Sequence, residues 1–297
     1  GAARLGRYSY AKAQEYFKIT FNLPTLYCYP YLPPLRKEDV NDYASEINNF
    51  IDLFFQDYEN SEEATCQLKA VTLTYLKQLT KDKDDRFVCV HLQGPRGVGK
   101  THFVEEWGKA INKTLKNNLP VEKLSIHSEN TSELEGNKET PGQLLLALSR
   151  IGQKEKSCGI IICDEAEWLN TSLKSCAKKI FEPNLGSFVS EYLEGLTVSL
   201  KGNIVWFITN DPVEDEALAS RFVHVNFPSL QKKSLCRMIE DKLPEFLEES
   251  TLDIEDVKQN NFFKKFLENS KTMRDVFREF PTIIEKIKNE NKKKKLE

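Results

Sequence analysis

Residues 94–101 read Gly-Pro-Arg-Gly-Val-Gly-Lys-Thr, a G-x-x-x-x-G-K-T string that restricts the possible folds more than any other stretch. It follows an apolar run, Arg86–Gln93, with the composition of a buried strand. It precedes Phe103, Val104, Trp107, Ala110, Ile111 and Leu115, which share one face of a helix. Strand, glycine loop and helix in that order form a phosphate-binding loop. Along Gly94, Pro95, Arg96, Gly97, Val98, Gly99, Lys100 and Thr101, the glycines let backbone N–H groups converge on the β- and γ-phosphates of a nucleotide. The positive end of the following helix adds to that attraction. Lys100 is placed to reach phosphate oxygens, and the Thr101 hydroxyl to bind Mg²⁺.

Further apolar runs alternate with helical patterns. Val121–Ile126, Cys158–Cys163, Asn203–Thr209 and Phe222–Phe227 read as strands. Helices are expected over Glu38–Tyr58, Glu62–Leu79 and Leu144–Ile151, and in segments through about 171–199. This order predicts an α/β fold, a P-loop NTPase parallel sheet of about five strands flanked by helices, with ligands at the carboxyl ends of the strands. The phosphate loop, Asp164-Glu165 and Asn210 all fall at such ends. Beyond Pro228 only helical patterns remain: Leu230–Leu243, Ile254–Leu267 and Met273–Ile287. The expected organisation is an extended, Tyr/Pro-rich arm (1–35), an α/β nucleotide-binding domain (36–228), a helical lid (229–290) and a basic tail (291–297).

At 297 residues the chain is long enough for one large or two ordinary domains. A formal net charge of −3 gives no global sign of a nucleic-acid binder. No run approaches the ~18 uninterrupted apolar residues of a membrane span. The seven cysteines include no C-x-x-C pair, which argues against zinc and for a reducing intracellular compartment such as the cytoplasm. Gly1-Ala2-Ala3 lacks an initiator Met, and Leu296-Glu297 reads as vector sequence, so a native targeting signal is expected to be invisible here.

Asp164, after a hydrophobic strand, has the position of a Walker B carboxylate that holds Mg²⁺. Glu165 is placed to orient or deprotonate an attacking water. With Gly94–Thr101, Ile160-Ile-Ile-Cys-Asp-Glu165 and Ile208-Thr-Asn210, the chain resembles the AAA+ ATPase family over roughly residues 36–290, near its Clp and torsin branch. The resemblance implies ATP with Mg²⁺, and Asn210 as a sensor that positions water. Asp215-Glu-Ala-Leu-Ala-Ser-Arg-Phe222 resembles the arginine-finger segment, which implies that Arg221 acts in a neighbouring subunit's site. Thr272-Met-Arg274 resembles sensor 2, which implies that Arg274 contacts phosphate from the same subunit. A homo-oligomer, typically a hexameric ring, follows from such a finger.

Three functions stay open at this point. The first is an ATP-hydrolysing remodeller or translocase, with a protein client preferred over nucleic acid. The second is a helicase similar to viral superfamily three, with Lys201 as a pore-hairpin contact to phosphate. The third is an ATP-gated switch that binds a partner without acting as a motor.

Overall fold

The computed structural model describes residues 10–23, 35–80, 87–126, 130–154, 158–182, 185–247, 252–270 and 272–294. These form two compact units. The first holds the described residues up to Phe54, Glu62–Gly94 and Lys100–Phe227. In chain order its elements are α1 (Tyr10–Phe21), α2 (Val40–Phe55), α3 (Glu62–Gln78), β1 (Val88–Gln93), α4 (Lys100–Leu115), β2 (Val121–Leu124), α5 (Thr131–Leu134) and α6 (Gln143–Gln153). Then come β3 (Ile160–Cys163), a 3-10 turn (Ala166–Asn170), α7 (Lys174–Ile180), β4 (Ser187–Ser190), β5 (Leu196–Ser199), β6 (Ile204–Thr209), α8 (Glu216–Ala219) and β7 (Val223–Asn226).

The unit is α/β, built on a five-stranded parallel sheet of order β2-β3-β6-β1-β7. Sequence explains that order. β3 and β6 are buried at every residue, and β1 at all but its last, as suits interior strands covered on both faces. β2 and β7 mix buried with exposed positions and lie at the two edges. On one face Trp107 of α4 meets Trp206 of β6 at 5.0 Å and donates its indole N–H to Thr72 of α3. Phe50 and Phe54 of α2 pack on Phe103 of α4. Phe181, Phe207 and Phe222 fill the other core, which also takes Ile19 and Leu23 from the N-terminal segment. Cys89 and Cys163 are buried there, where burial pushes their thiols up and leaves them as small apolar groups.

Two expectations for this unit need correction. Residues 10–21 form α1 instead of an extended arm, because Ala11, Ala13, Gln14 and Glu15 favour a helix and Ile19 has a core to enter. The Tyr/Pro-rich run 27–34 lies outside the described residues. Among the described residues of 171–199 only α7 is α-helical, and β4 and β5 form an antiparallel hairpin. Its period is two: Phe188 and Ser190 are buried while Val189 between them is exposed. Glu194 and Gly195, both at positive φ, make the turn.

The second unit joins Phe55–Ser61 and Pro95–Gly99 to the described residues from Pro228 onward. The expected boundary at 228/229 misses those two short insertions. Its helices are α9 (Lys232–Leu247), α10 (Ile254–Gln259), α11 (Asn261–Asn269) and α12 (Met273–Lys294). They close over Leu235, Ile239, Val257, Phe263, Phe280 and Ile284, among others. α12 runs on to Lys294, into the stretch expected as a tail.

One buried polar group in the first unit has a measurable consequence. His91 of β1 lies with Nε2 at 2.7 Å from the Thr209 hydroxyl and Nδ1 at 2.9 Å from His224 Nδ1. Burial, and after it His224, push the His91 pKa down to about 4. An unfolded histidine takes up its proton near 6.5, so between about 6.5 and about 4 the unfolded state binds more protons. The stability His91 contributes is complete above about 6.5 and is lost as pH falls through that window, by about 1–3 kcal/mol. Urea unfolding of wild type and His91→Asn should therefore differ in pH slope there, with the variant flatter. Equal slopes would contradict the assignment.

Candidate functional site

The sheet order decides which chain segments meet. β6 lies between β1 and β3, so the residues that follow these strands share one edge of the sheet, roughly 5 Å apart per strand. Thr101, in the first turn of α4, donates its hydroxyl proton to Asp164 Oδ2 at 2.7 Å. Asp164 Oδ1 accepts from the Glu165 N–H at 3.0 Å. Lys100 is only 7% exposed, an unusual state for an ammonium group. Its Nζ donates to the Gly94 carbonyl at 2.5 Å and to Asn210 Oδ1 at 3.2 Å.

Asn210 is oriented by a residue that sequence reading passed over. Glu167 Oε1 accepts from both the Asn210 backbone N–H (3.1 Å) and Nδ2 (2.7 Å). With Nδ2 on a carboxylate and Oδ1 on an ammonium, the amide has one chemically consistent orientation. Glu167 follows Asp164-Glu165 in the same acidic run, and its only sequence signal is that proximity. The 3-10 turn brings it back toward the end of β6.

Glu165 bends the chain from β3 into that turn with φ 53 and ψ 46, the left-handed region. For a residue with a Cβ this costs about 1–2 kcal/mol. Its side chain is exposed, whereas Asp164 has both oxygens engaged. The two adjacent carboxylates thus lie in different surroundings.

In the second unit the apex of the loop has its own supports. Gly97 has φ +76, and a Cβ there would lie 2.9 Å from Thr272 Cβ and Oγ1. Thr272 caps α12, accepting from the Asp275 N–H and donating to its carboxylate. Arg274 is exposed in the first turn of that helix. Pro95 and Arg96 are exposed, and Val98 is buried, with its carbonyl accepting from the Tyr58 hydroxyl at 2.9 Å.

Arg221 is fastened elsewhere. Nη2 pairs with Glu182 at 2.8 Å, Nε donates to the Lys178 carbonyl at 3.2 Å, and Nη1 donates to the Ala217 carbonyl. Asp215 begins α8 by accepting from the Leu218 N–H, and Lys178 also donates to it. Chiefly that Lys178 bond, then the backbone one, holds Asp215 below its usual range. Lys201 lies in the turn between β5 and β6, while the tip of the hairpin carries Glu191 and Glu194.

Lys100 is thus hydrogen-bonded to Asn210, and Thr101 to Asp164. Arg221 is bound to α7 and its neighbours, and Arg274 belongs to the other unit. Thr101 and Asp164 supply hard oxygen donors, the set that suits Mg²⁺, which takes few protein ligands and completes its shell with water and phosphate. Among the described residues no group of three or more His, Cys, Asp or Glu could hold a metal by itself. No helix among them is long and apolar enough to cross a membrane. No protein-family model and no curated protein matches the chain.

The left-handed turn yields a test. Glu165→Gly removes the Cβ cost and adds only the entropy of glycine, so stability should hold or rise by up to about 1 kcal/mol. Chemical unfolding reads it directly, and a clear loss of stability would contradict the strained assignment.

Proposed function

We propose that the chain is a P-loop NTPase that binds ATP with Mg²⁺ and hydrolyses it as an AAA+-like module. One observation carries the reading. Residues assigned to separate motifs, 63 and 110 positions apart, are hydrogen-bonded to one another as Thr101–Asp164 and Lys100–Asn210. Lys100 would trade its oxygen partners for phosphate oxygens. Thr101 and Asp164 would hold Mg²⁺, which when bound neutralises charge on the phosphates. Asn210, steadied by Glu167, would orient the attacking water, and the exposed Glu165 carboxylate would accept its proton. The resemblance to sensor 2 gives Arg274 a phosphate contact, a role that rests on the sequence alone. Arg221 would serve a neighbouring subunit in a ring, after leaving Glu182.

A protein client is favoured. The hairpin between β3 and β6 gives the helicase reading a structural element it requires, but the tip holds Glu191 and Glu194, which repel nucleic-acid phosphate. Salt-sensitive binding of single-stranded DNA or RNA would reverse that preference.

Steady-state phosphate release and equilibrium nucleotide binding test the assignment together. Lys100→Ala should abolish binding. Glu165→Gln should keep ATP bound while turnover falls by about 10²-fold or more. Near-normal turnover in Glu165→Gln would remove Glu165 from the mechanism. Arg221→Ala should lose hydrolysis and keep binding, and full activity of a dilute wild-type monomer would exclude action between subunits.

A further inference from the structure

Tyr58 lies forty residues before Val98 in sequence, yet its hydroxyl donates to the Val98 carbonyl. The residue is buried, and burial, followed by Asp57, pushes its pKa far above the usual phenol range, so the hydroxyl keeps its proton. In a trans peptide, C=O and the following N–H point in opposite directions across one rigid plane. Holding the Val98 carbonyl on Tyr58 therefore turns the Gly99 N–H the other way. In a phosphate-binding loop that N–H is one of the groups that face the anion. Gly99 has φ +99, and a Cβ there would come within 3.2 Å of the Tyr58 hydroxyl, so glycine leaves room for this bond.

Tyr58 is itself fixed from α9 and the strand-like segment before it. It forms an isolated bridge with Leu230, and its carbonyl accepts from Gln231 Nε2 at 3.4 Å. Next to it, Asp57 accepts from Ser234 Oγ at 2.9 Å and pairs with Arg237 at 3.0 Å. Glu59 N–H donates to the Ser229 carbonyl. The segment 55–61 is thus a brace with α9 at one end and the Val98–Gly99 peptide at the other.

We propose that Tyr58 is a positioning residue for phosphate: it sets the Val98–Gly99 peptide plane, and through Asp57 it links that plane to α9. The inference rests on the nucleotide reading above. Its signature is selective, because the Gly99 N–H serves a terminal phosphate and not the nucleoside.

The test is calorimetric titration of the full chain with ADP and with AMP in Mg²⁺. Tyr58→Phe keeps the ring and removes only the donor. It should weaken ADP by about five- to tenfold, the range for one lost hydrogen bond, and leave AMP unchanged. Arg237→Ala, which loosens the brace at an exposed surface position, should weaken ADP in the same direction and again spare AMP. If Tyr58→Phe fails to fold, the Arg237→Ala ratio of ADP to AMP affinity decides. Unchanged ADP affinity, or equal losses for ADP and AMP, would overturn the positioning role. A wild-type chain that binds neither nucleotide would instead overturn the nucleotide reading itself.

Discussion

A buried ammonium group at the end of a parallel sheet constrains everything around it. Lys100 is almost wholly enclosed, and the Gly94 carbonyl and Asn210 side chain are oxygen dipoles brought to it by two adjacent strands. Charge-assisted bonds to phosphate oxygens would be stronger than bonds to these two neutral oxygens. The neighbouring Thr101–Asp164 bond fits the same picture. There a hydroxyl donates to a carboxylate at 2.7 Å, and both are hard oxygen donors. The sheet order is what makes both contacts possible, because β6 sits between the strands that bear the loop and the carboxylate.

The loop between β1 and α4 belongs to two units. Gly94 and Lys100 are counted with the sheet, and Pro95–Gly99 with the helical segment from Pro228 onward. Thr272 against Gly97 and Tyr58 on Val98 are the contacts that give the apex its place in the second unit. α9 reaches the Val98 carbonyl through Asp57 and Tyr58, and the capped start of α12 lies against Gly97 at Thr272.

Much of this was legible in the sequence, for physical reasons. Interior strands of a parallel sheet are continuous apolar runs, so β1, β3 and β6 stand out, and polar residues at their ends mark the ligand edge. Lys100, Thr101, Asp164 and Asn210 were readable because each sits at a fixed offset from such a run. Glu167 was not, since its role depends on a 3-10 turn that no pattern announces. Tyr58 closes the predicted helical stripe and looked like core, because its partner is a backbone carbonyl forty residues away. The β4–β5 hairpin was hidden by the short run Glu191–Glu194, which suits a helix as well as a turn. The Arg221 contacts with α7 and Glu182 are tertiary and leave no local trace.

The central claim is that Lys100, Thr101 and Asp164 form a site for a nucleotide with Mg²⁺. The most direct measurement is calorimetric binding of a slowly hydrolysed ATP analogue to the wild-type chain, with Mg²⁺ and with a chelator. The account predicts saturable binding of one nucleotide per chain, clearly tighter when Mg²⁺ is present. Absence of saturable binding, or affinity indifferent to Mg²⁺ and unchanged in Asp164→Ala, would contradict it.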